Sequence, residues 1–340
     1  MKTRRYETPV APARQTPPEV PEVAPSAAAK VQQIEAGERG AGQRLDNFLA
    51  RILKDVPKTH IFRVIRKGEV RVNGKRAKPE QRLLANDIVR VPPVRTGAAA
   101  PPRKASPAMM EILAGAIVHE DPKLLVINKP AGVAVHGGSG VSFGVIEALR
   151  AARPDETLEL VHRIDRDTSG LLLIARKPAA LRTLHALMRD GKVEKRYLAL
   201  VKGKWELGQK RIDVPLRTDI RVGGERTVKA HESGKEAVSV FKPVQFFGKR
   251  ATLMEVSLET GRTHQIRVHA AHAGYPLAGD EKYGEAEFNE KMKESGLKRM
   301  FLHAHQLSFV WPETGVEFNA SAPLPAELAA VVDALGDRKR

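Results

Sequence analysis

Between residues 110 and 329 the chain keeps returning to short runs of aliphatic and aromatic residues. These are LLVI at 124–127, GLLLIARK at 170–177, KRYLALVKG at 195–203, EAVSVFKPVQFF at 236–247, ATLMEVSLET at 251–260 and HQLSFVW at 305–311. Runs of this length, rich in β-formers and bounded by Gly, Pro or charged residues, read as strands. VIEALRAARP and LRTLHALMRD interrupt them with helical spacing. The mixture predicts an α+β domain on a large mixed, mainly antiparallel sheet. Apolar residues make up 42% of the chain, enough to bury a sizeable core.

Composition shifts divide the chain of 340 residues. Residues 1–41 hold Pro9, Pro12, Pro17, Pro18, Pro21 and Pro25 among Ala, Glu and Val, and read as a flexible tail. TGAAAPPRKASP reads as a linker over 96–109, and residues 330–340 as a basic C-terminal tail. Between tail and linker lies a compact basic unit, 42–95. It carries 14 Lys and Arg against 5 Asp and Glu, a net +9 of the chain's +17. RLDNFLARIL places Leu45, Phe48, Leu49 and Ile52 at helical spacing. KTHIFRVIRKGEV reads as a second helix stopped by Gly68, with Asn73-Gly74 turning a short hairpin and ANDIVRVPP closing the unit as a strand. A solvated face would explain such charge, but its concentration favours a phosphate backbone as partner. The exposed candidates are Lys58, Arg63, Arg66, Lys67, Arg71, Lys75, Arg76 and Lys78. This unit resembles the S4 RNA-binding domain, a small α/β module; the resemblance implies RNA and not what is done to it.

There is no Cys, which excludes thiolate catalysis, disulfides and Cys-ligated metals. No stretch approaches the length of a membrane span, and the N-terminus lacks the apolar run of a secretory signal. A cytoplasmic protein without membrane contact is expected.

The densest polar run is LVHRIDRDTSGLLLIAR, 160–176, in which a polar cluster opens directly into an apolar strand. Asp165 stands between Arg163 and Arg166, cations that favour an ionised carboxylate able to act as nucleophile or base. A surface loop held by salt bridges would look the same. A second run, LETGRTHQIRVHAAHAG, gathers Arg262, His264, Arg267, His269 and His272. The histidines lack the His-Glu-x-x-His spacing of a zinc site, so no metal is expected. Arg267 suits bidentate pairing with a carboxylate. Tyr197 reads equally as a core tyrosine and as a stacking platform for a base. HGGSG at 136–140 lacks the Lys-Ser or Lys-Thr of a phosphate-binding loop.

Taken together, HRIDRDTSGLLLIAR, EKRYLALVKG and LETGRTHQIRVH, supported by NKPAGVAVH, GYPLAGDEKYG and FLHAHQLSF, resemble the RluA family of RNA pseudouridine synthases. The likeness is strongest to its RluC-like branch, which modifies 23S ribosomal RNA. It covers about 115–325 and, with the S4-like unit, nearly all of the chain but the tail. The resemblance implies a pseudouridine synthase domain over 110–329 with three catalytic residues. Asp165 would be the essential carboxylate, Tyr197 the active-site tyrosine and Arg267 the basic partner of Asp165. Ile164 replaces the usual Leu, keeping an apolar side chain. Arg163 would fill the space left by the target uridine. His162, Arg166, Arg262 and His264 are candidate substrate contacts, the last two expected on the same strand motif as Arg267. The implied reaction breaks the uridine N1–C1′ bond and makes a C5–C1′ bond. No atom is gained or lost, so no cofactor is expected. Attack on the sugar, attack on the base and abstraction of a sugar proton all remain open to the carboxylate. The expected partner is 23S ribosomal RNA or a large-subunit precursor, and the expected state a monomer. Competing readings are a related synthase with another rRNA or tRNA target, a non-catalytic ribosome-assembly protein, and a hydrolytic nucleosidase that would release uracil.

Overall fold

A computed structural model describes residues 31–53, 56, 58–93, 107–137, 143–220 and 226–337. The linker expected over 96–109 falls largely outside these, and so does the tail up to residue 30. The chain divides into two compact units, with the division between Pro102 and Arg103.

In the first unit, helices Leu45–Ile52 and Lys58–Lys67 lie where the apolar spacing put them. Leu45, Phe48, Leu49, Ile61, Val64 and Ile65 share one core with Val70, Val72 and Val89 of the small sheet. Gly68 ends the second helix at φ 76°. Asn73 (φ 49°) and Gly74 (φ 75°) are both left-handed, the backbone a two-residue hairpin turn requires. The Asp87 carboxylate secures the turn by accepting from Asn73 Nδ2 at 2.7 Å.

The expected tail over 1–41 ends too late. Gln32–Glu35 is a strand pairing antiparallel with Ile88–Val91, and Ala36 is buried behind it. The prolines stop at Pro25, so nothing in this stretch prevents a strand from taking up the open edge of the sheet. Of the basic surface, Arg63, Arg66, Lys67, Arg71, Lys75, Arg76 and Lys78 are all exposed; the side chain of Lys58 is not among those described.

The second unit is built on a large sheet with strand order Lys210–Asp213, Val238–Phe247, Ala251–Leu258, Glu194–Lys202, Leu302–Val310, Ser169–Ala175, Leu124–Lys129, Ile117–Glu120. Among the described residues, only the pairing of Leu302–Val310 with Ser169–Ala175 is parallel. The expected mixed, mainly antiparallel sheet is therefore present. Strand Ser169–Ala175 is buried on both faces. Leu171 and Leu173 pack on helix Pro178–Arg189, while Leu172 and Ile174 pack on Val145–Ala152. That two-sided burial is why its sequence runs apolar without alternation.

Three strands set the geometry of the cleft above the sheet. Tyr197 pairs across to Ala304, and Ala304 to Gly170, so the three lie in one row across the sheet. The loop carrying Asp165 runs directly into the third of these strands. Gly170 has φ +112°, and a Cβ there would sit 2.2 Å from the Ala304 carbonyl oxygen. Gly170→Ala is expected to cost about 2–4 kcal/mol of folding stability, the scale of a strained core position. Denaturant unfolding measures it, and a loss below about 1 kcal/mol would contradict the close approach.

In the second unit, two expected boundaries and one expected element differ from the sequence reading. The second unit's first helix begins at Pro107, and the expected C-terminal tail from 330 is part of helix Ala326–Asp337. Val331 and Leu335 pin that helix to Phe247 and Phe301, an apolar spacing that the basic last residues obscure. Gln265–His272 is a helix, not a strand. Ile266, Val268 and Ala270 mimic a two-residue period because this helix is buried on nearly every side and shows no polar stripe.

Candidate active site

Every catalytic or substrate candidate named from the second unit's sequence lines one cleft of about 800 Å³: Asp165, Tyr197, Arg267, Arg163, His162, Arg166, Arg262 and His264. The local chain positions each of them.

Asp165 opens a tight turn in which the Thr168 N–H donates to its carbonyl at 3.2 Å. The turn is anchored from below by Lys129, which the sequence reading did not single out. This lysine ends an apolar strand, is wholly buried, and donates to the carbonyls of Pro130, Val133 and Arg166 at 2.8, 2.9 and 2.9 Å. Burial pulls its pKa down to about 7, against the raising influence of Asp167 and Asp165. The bond to the Arg166 carbonyl ties the Asp165 turn to the loop at Pro130–Val133.

The flanking arginines do not serve Asp165. Arg166 pairs with Asp167 at 3.0 Å, and Arg163 donates to His136 Nε2 at 3.2 Å. The cation that faces the carboxylate is Arg267, with Nη1 3.5 Å from Asp165 Oδ2. Its other donors are committed to Asp280: Nε to Oδ2 at 2.7 Å and Nη2 to Oδ1 at 2.8 Å. Asp280 is fully buried and also accepts from the Lys282 and Tyr283 N–H groups. Burial alone would raise its pKa, but the Arg267 hydrogen bonds and charge hold it below the ordinary value. The guanidinium also stacks over Tyr283, 4.9 Å from the ring centre. The sequence assigns no role to Asp280 or Tyr283 in GYPLAGDEKYG, where the acid shows nothing of its burial.

His264 has a left-handed backbone, φ 53°, uncommon for a non-glycine residue. The Tyr283 hydroxyl accepts the Val228 N–H at 3.0 Å and shares a hydrogen bond of 2.8 Å with His264 Nδ1. The other ring nitrogen, Nε2, lies 4.0 Å from Asp165 Oδ2. Burial lowers the pKa of His264, and the Asp165 charge opposes it. Arg262 is exposed and donates to the Glu236 carbonyl. Gln265, also unflagged in the sequence, is buried and holds the turn by accepting from Thr260 and the Arg262 N–H. Tyr197 is buried on the same face of the sheet as Ile266 and Ala270. Burial first, then the Asp165 charge, raises its pKa, which favours the neutral phenol.

His162 accepts the Leu173 N–H at 3.1 Å, so it braces the root of the loop as well as lining the cleft. Burial pushes its pKa down to about 4, as it does for His303, which bonds Ser169 Oγ at 2.9 Å. An unfolded histidine takes up its proton near pH 6.5. The unfolded chain therefore binds more protons between pH 6.5 and about 4, and stability falls as pH drops through that window. The fully buried His303 contributes on the order of 3 kcal/mol of this loss. Urea unfolding at pH 7 and pH 4.5 tests it: stability unchanged between the two would contradict neutral burial, and His303→Asn should flatten the dependence.

A half-buried carboxylate facing an arginine, in a cleft that a tyrosine also lines, is the kind of group that acid–base or nucleophilic chemistry uses. The fold has solved relatives. Two solved human proteins share it: RNA Pseudouridylate Synthase Domain Containing 4 (24% identity, TM-score 0.55, 67% of this chain and 96% of that one) and Domain Containing 1 (26%, 0.52, 66% and 95%). The RNA pseudouridylate synthase family matches residues 123–272 and the S4 domain family residues 43–89. This chain belongs to the RNA pseudouridylate synthases and is an isomerase. At closer range it is similar to the ribosomal large subunit pseudouridine synthase C of Pasteurella multocida (strain Pm70), 50% identical over 91% of this chain and 95% of that protein. The protein of the same name from Escherichia coli (strain K12) is 51% identical over 87% and 93%. The likeness to the RluC-like branch read from the sequence is thus borne out. Among the described residues, no helix is long and apolar enough to cross a membrane.

Proposed function

We propose that this protein converts uridines of the 23S ribosomal RNA of the large subunit to pseudouridine, with Asp165 as the essential carboxylate. The observation that carries the reading is the convergence of Asp165, Arg267 and Tyr197 on one cleft. The target uridine leaves its stack at a cost of a few kcal/mol, least in a loop. Arg163, exposed at the cleft and tethered to His136, fills the vacated space. Asp165 acts where base meets sugar as the N1–C1′ bond breaks. Arg267, steadied by Asp280, orients the carboxylate. Tyr197 supports the detached uracil while it turns to present C5. Its raised pKa favours the stacking part of this role; to take the C5 proton, the hydroxyl must pass on its own, and Asp165 is the nearby acceptor. The bond to C5 then restores the RNA without gain or loss of atoms. The protein acts as a cytoplasmic monomer. Mapping pseudouridines in 23S rRNA from cells lacking the protein tests activity and target together. A full complement of pseudouridines would overturn the assignment.

The basic first unit holds RNA by its phosphates. Arg66→Gln, Lys75→Gln and Lys78→Gln together should make the salt dependence of RNA affinity shallower by about 2–3 in log–log slope, one step per lost contact. The modified positions should stay the same. An unchanged slope in filter binding across salt would remove this unit from the interface.

A further inference from the structure

We propose that Lys195 binds an RNA phosphate inside the cleft, beside the uridine on which Asp165 acts; the inference rests on the function proposed above. Lys195 stands two residues before Tyr197 on strand Glu194–Lys202, so both side chains project from the same face, about 7 Å apart along the strand. Both line the cleft.

Its neighbours distinguish it from every other described cation there. Arg267 is held by Asp280 and Asp165, Arg166 by Asp167, and Arg189 by Asp190. Arg163 is tied to His136 and Arg262 to the Glu236 carbonyl. Lys129, just behind the cleft, is capped by three carbonyls. No hydrogen bond or ion pair among the described residues reaches Lys195, which is nevertheless half-buried. The acid next to it, Glu194, pairs with Arg196, and the residue across the strand is Leu307. Burial lowers the pKa of its ammonium. Among the described residues the ion-pair partners of Asp165 are Arg267 and His264, not Lys195. Its own charge helps keep His162 neutral.

An ammonium withdrawn from water with no counterion is a cost to the free protein. A ligand that brings the anion offsets it. In RNA that anion is phosphate, for which a compact point charge on a long stem is suited. A nucleotide drawn into the cleft brings its flanking phosphates with it, held on the ribose across from the base.

The test is turnover of a 23S rRNA transcript labelled with tritium at uridine C5, which releases label to water as the C5–C1′ bond forms. Initial rates are followed from 50 to 200 mM KCl for wild type, Lys195→Gln and Lys195→Arg. For Lys195→Gln the log–log salt slope of kcat/KM should become shallower by about 0.7–0.9, the share of one phosphate. KM should rise about 5–10-fold, on the scale of one charged contact, with kcat within about twofold. Lys195→Arg should restore most of both. The free Lys195→Gln protein should melt no lower than wild type, because an unpaired charge has left the interior. An unchanged slope overturns the inference, and so does a fall in kcat at unchanged slope, which would put Lys195 on the base. Absence of wild-type turnover would instead sink the proposed function itself.

Discussion

Asp165→Asn should abolish pseudouridine formation while leaving RNA capture nearly intact. The amide has the carboxylate's shape but can neither attack carbon nor take a proton. Loss of a nucleophile or general base costs about 10⁴-fold or more in rate. Binding should change by no more than about threefold, because phosphate contacts dominate RNA affinity and Asp165 makes none. Stability should barely move: Arg267 keeps its two shorter hydrogen bonds to Asp280 when the 3.5 Å contact to Asp165 is weakened. The C5-tritium assay and gel retardation on the same transcript separate the two effects. Turnover within about tenfold of wild type would remove Asp165 from the chemistry, since neither role survives the substitution.

How much of the molecule is legible in one dimension differs by element. Six strands of the large sheet announce themselves as bounded apolar runs and the two helices of the basic unit by period, whereas the short edge strands Lys210–Asp213 and Ile117–Glu120 do not. The polar run before Ser169–Ala175 exposes Asp165, because charge concentrated against an apolar strand is visible in the sequence. Features that depend on three dimensions are hidden there. Gln265–His272 alternates like a strand because it is buried all round. Gln32–Glu35 has little pattern of its own and becomes a strand only because Ile88–Val91 offers an edge. Lys129 and Asp280 are single charges in ordinary settings; only the fold reveals that one holds the Asp165 turn and the other the Arg267 guanidinium. Arg163 and Arg166 mislead in the opposite direction, being adjacent to Asp165 in sequence and paired elsewhere in space.

Asp280 carries the other large effect. Its two oxygens take two guanidinium donors in fork geometry and so aim the remaining Nη1 at Asp165. Without that clamp Arg267 has a single acid within reach. It would close on Asp165 with two donors and occupy the lone pairs that the reaction needs. Asp280→Asn is therefore expected to lower kcat by about 10²-fold, typical of a misplaced acid–base group. It should also destabilise the fold by about 1–3 kcal/mol, the scale of a lost charge-assisted hydrogen bond, since Arg267 keeps an acid partner in Asp165. The two effects are separable by temperature and pH. Activity measured far below the melting midpoint reports the clamp alone. Asp280 titrates below its ordinary pKa, so its stabilising contribution is complete above the unfolded value and is lost as pH falls through the folded one. The variant should accordingly lose less stability than wild type on acidification through that range. If Asp280→Asn melted early yet kept wild-type kcat at low temperature, Asp280 would be a structural ion pair and the aim of Arg267 would not matter to the reaction.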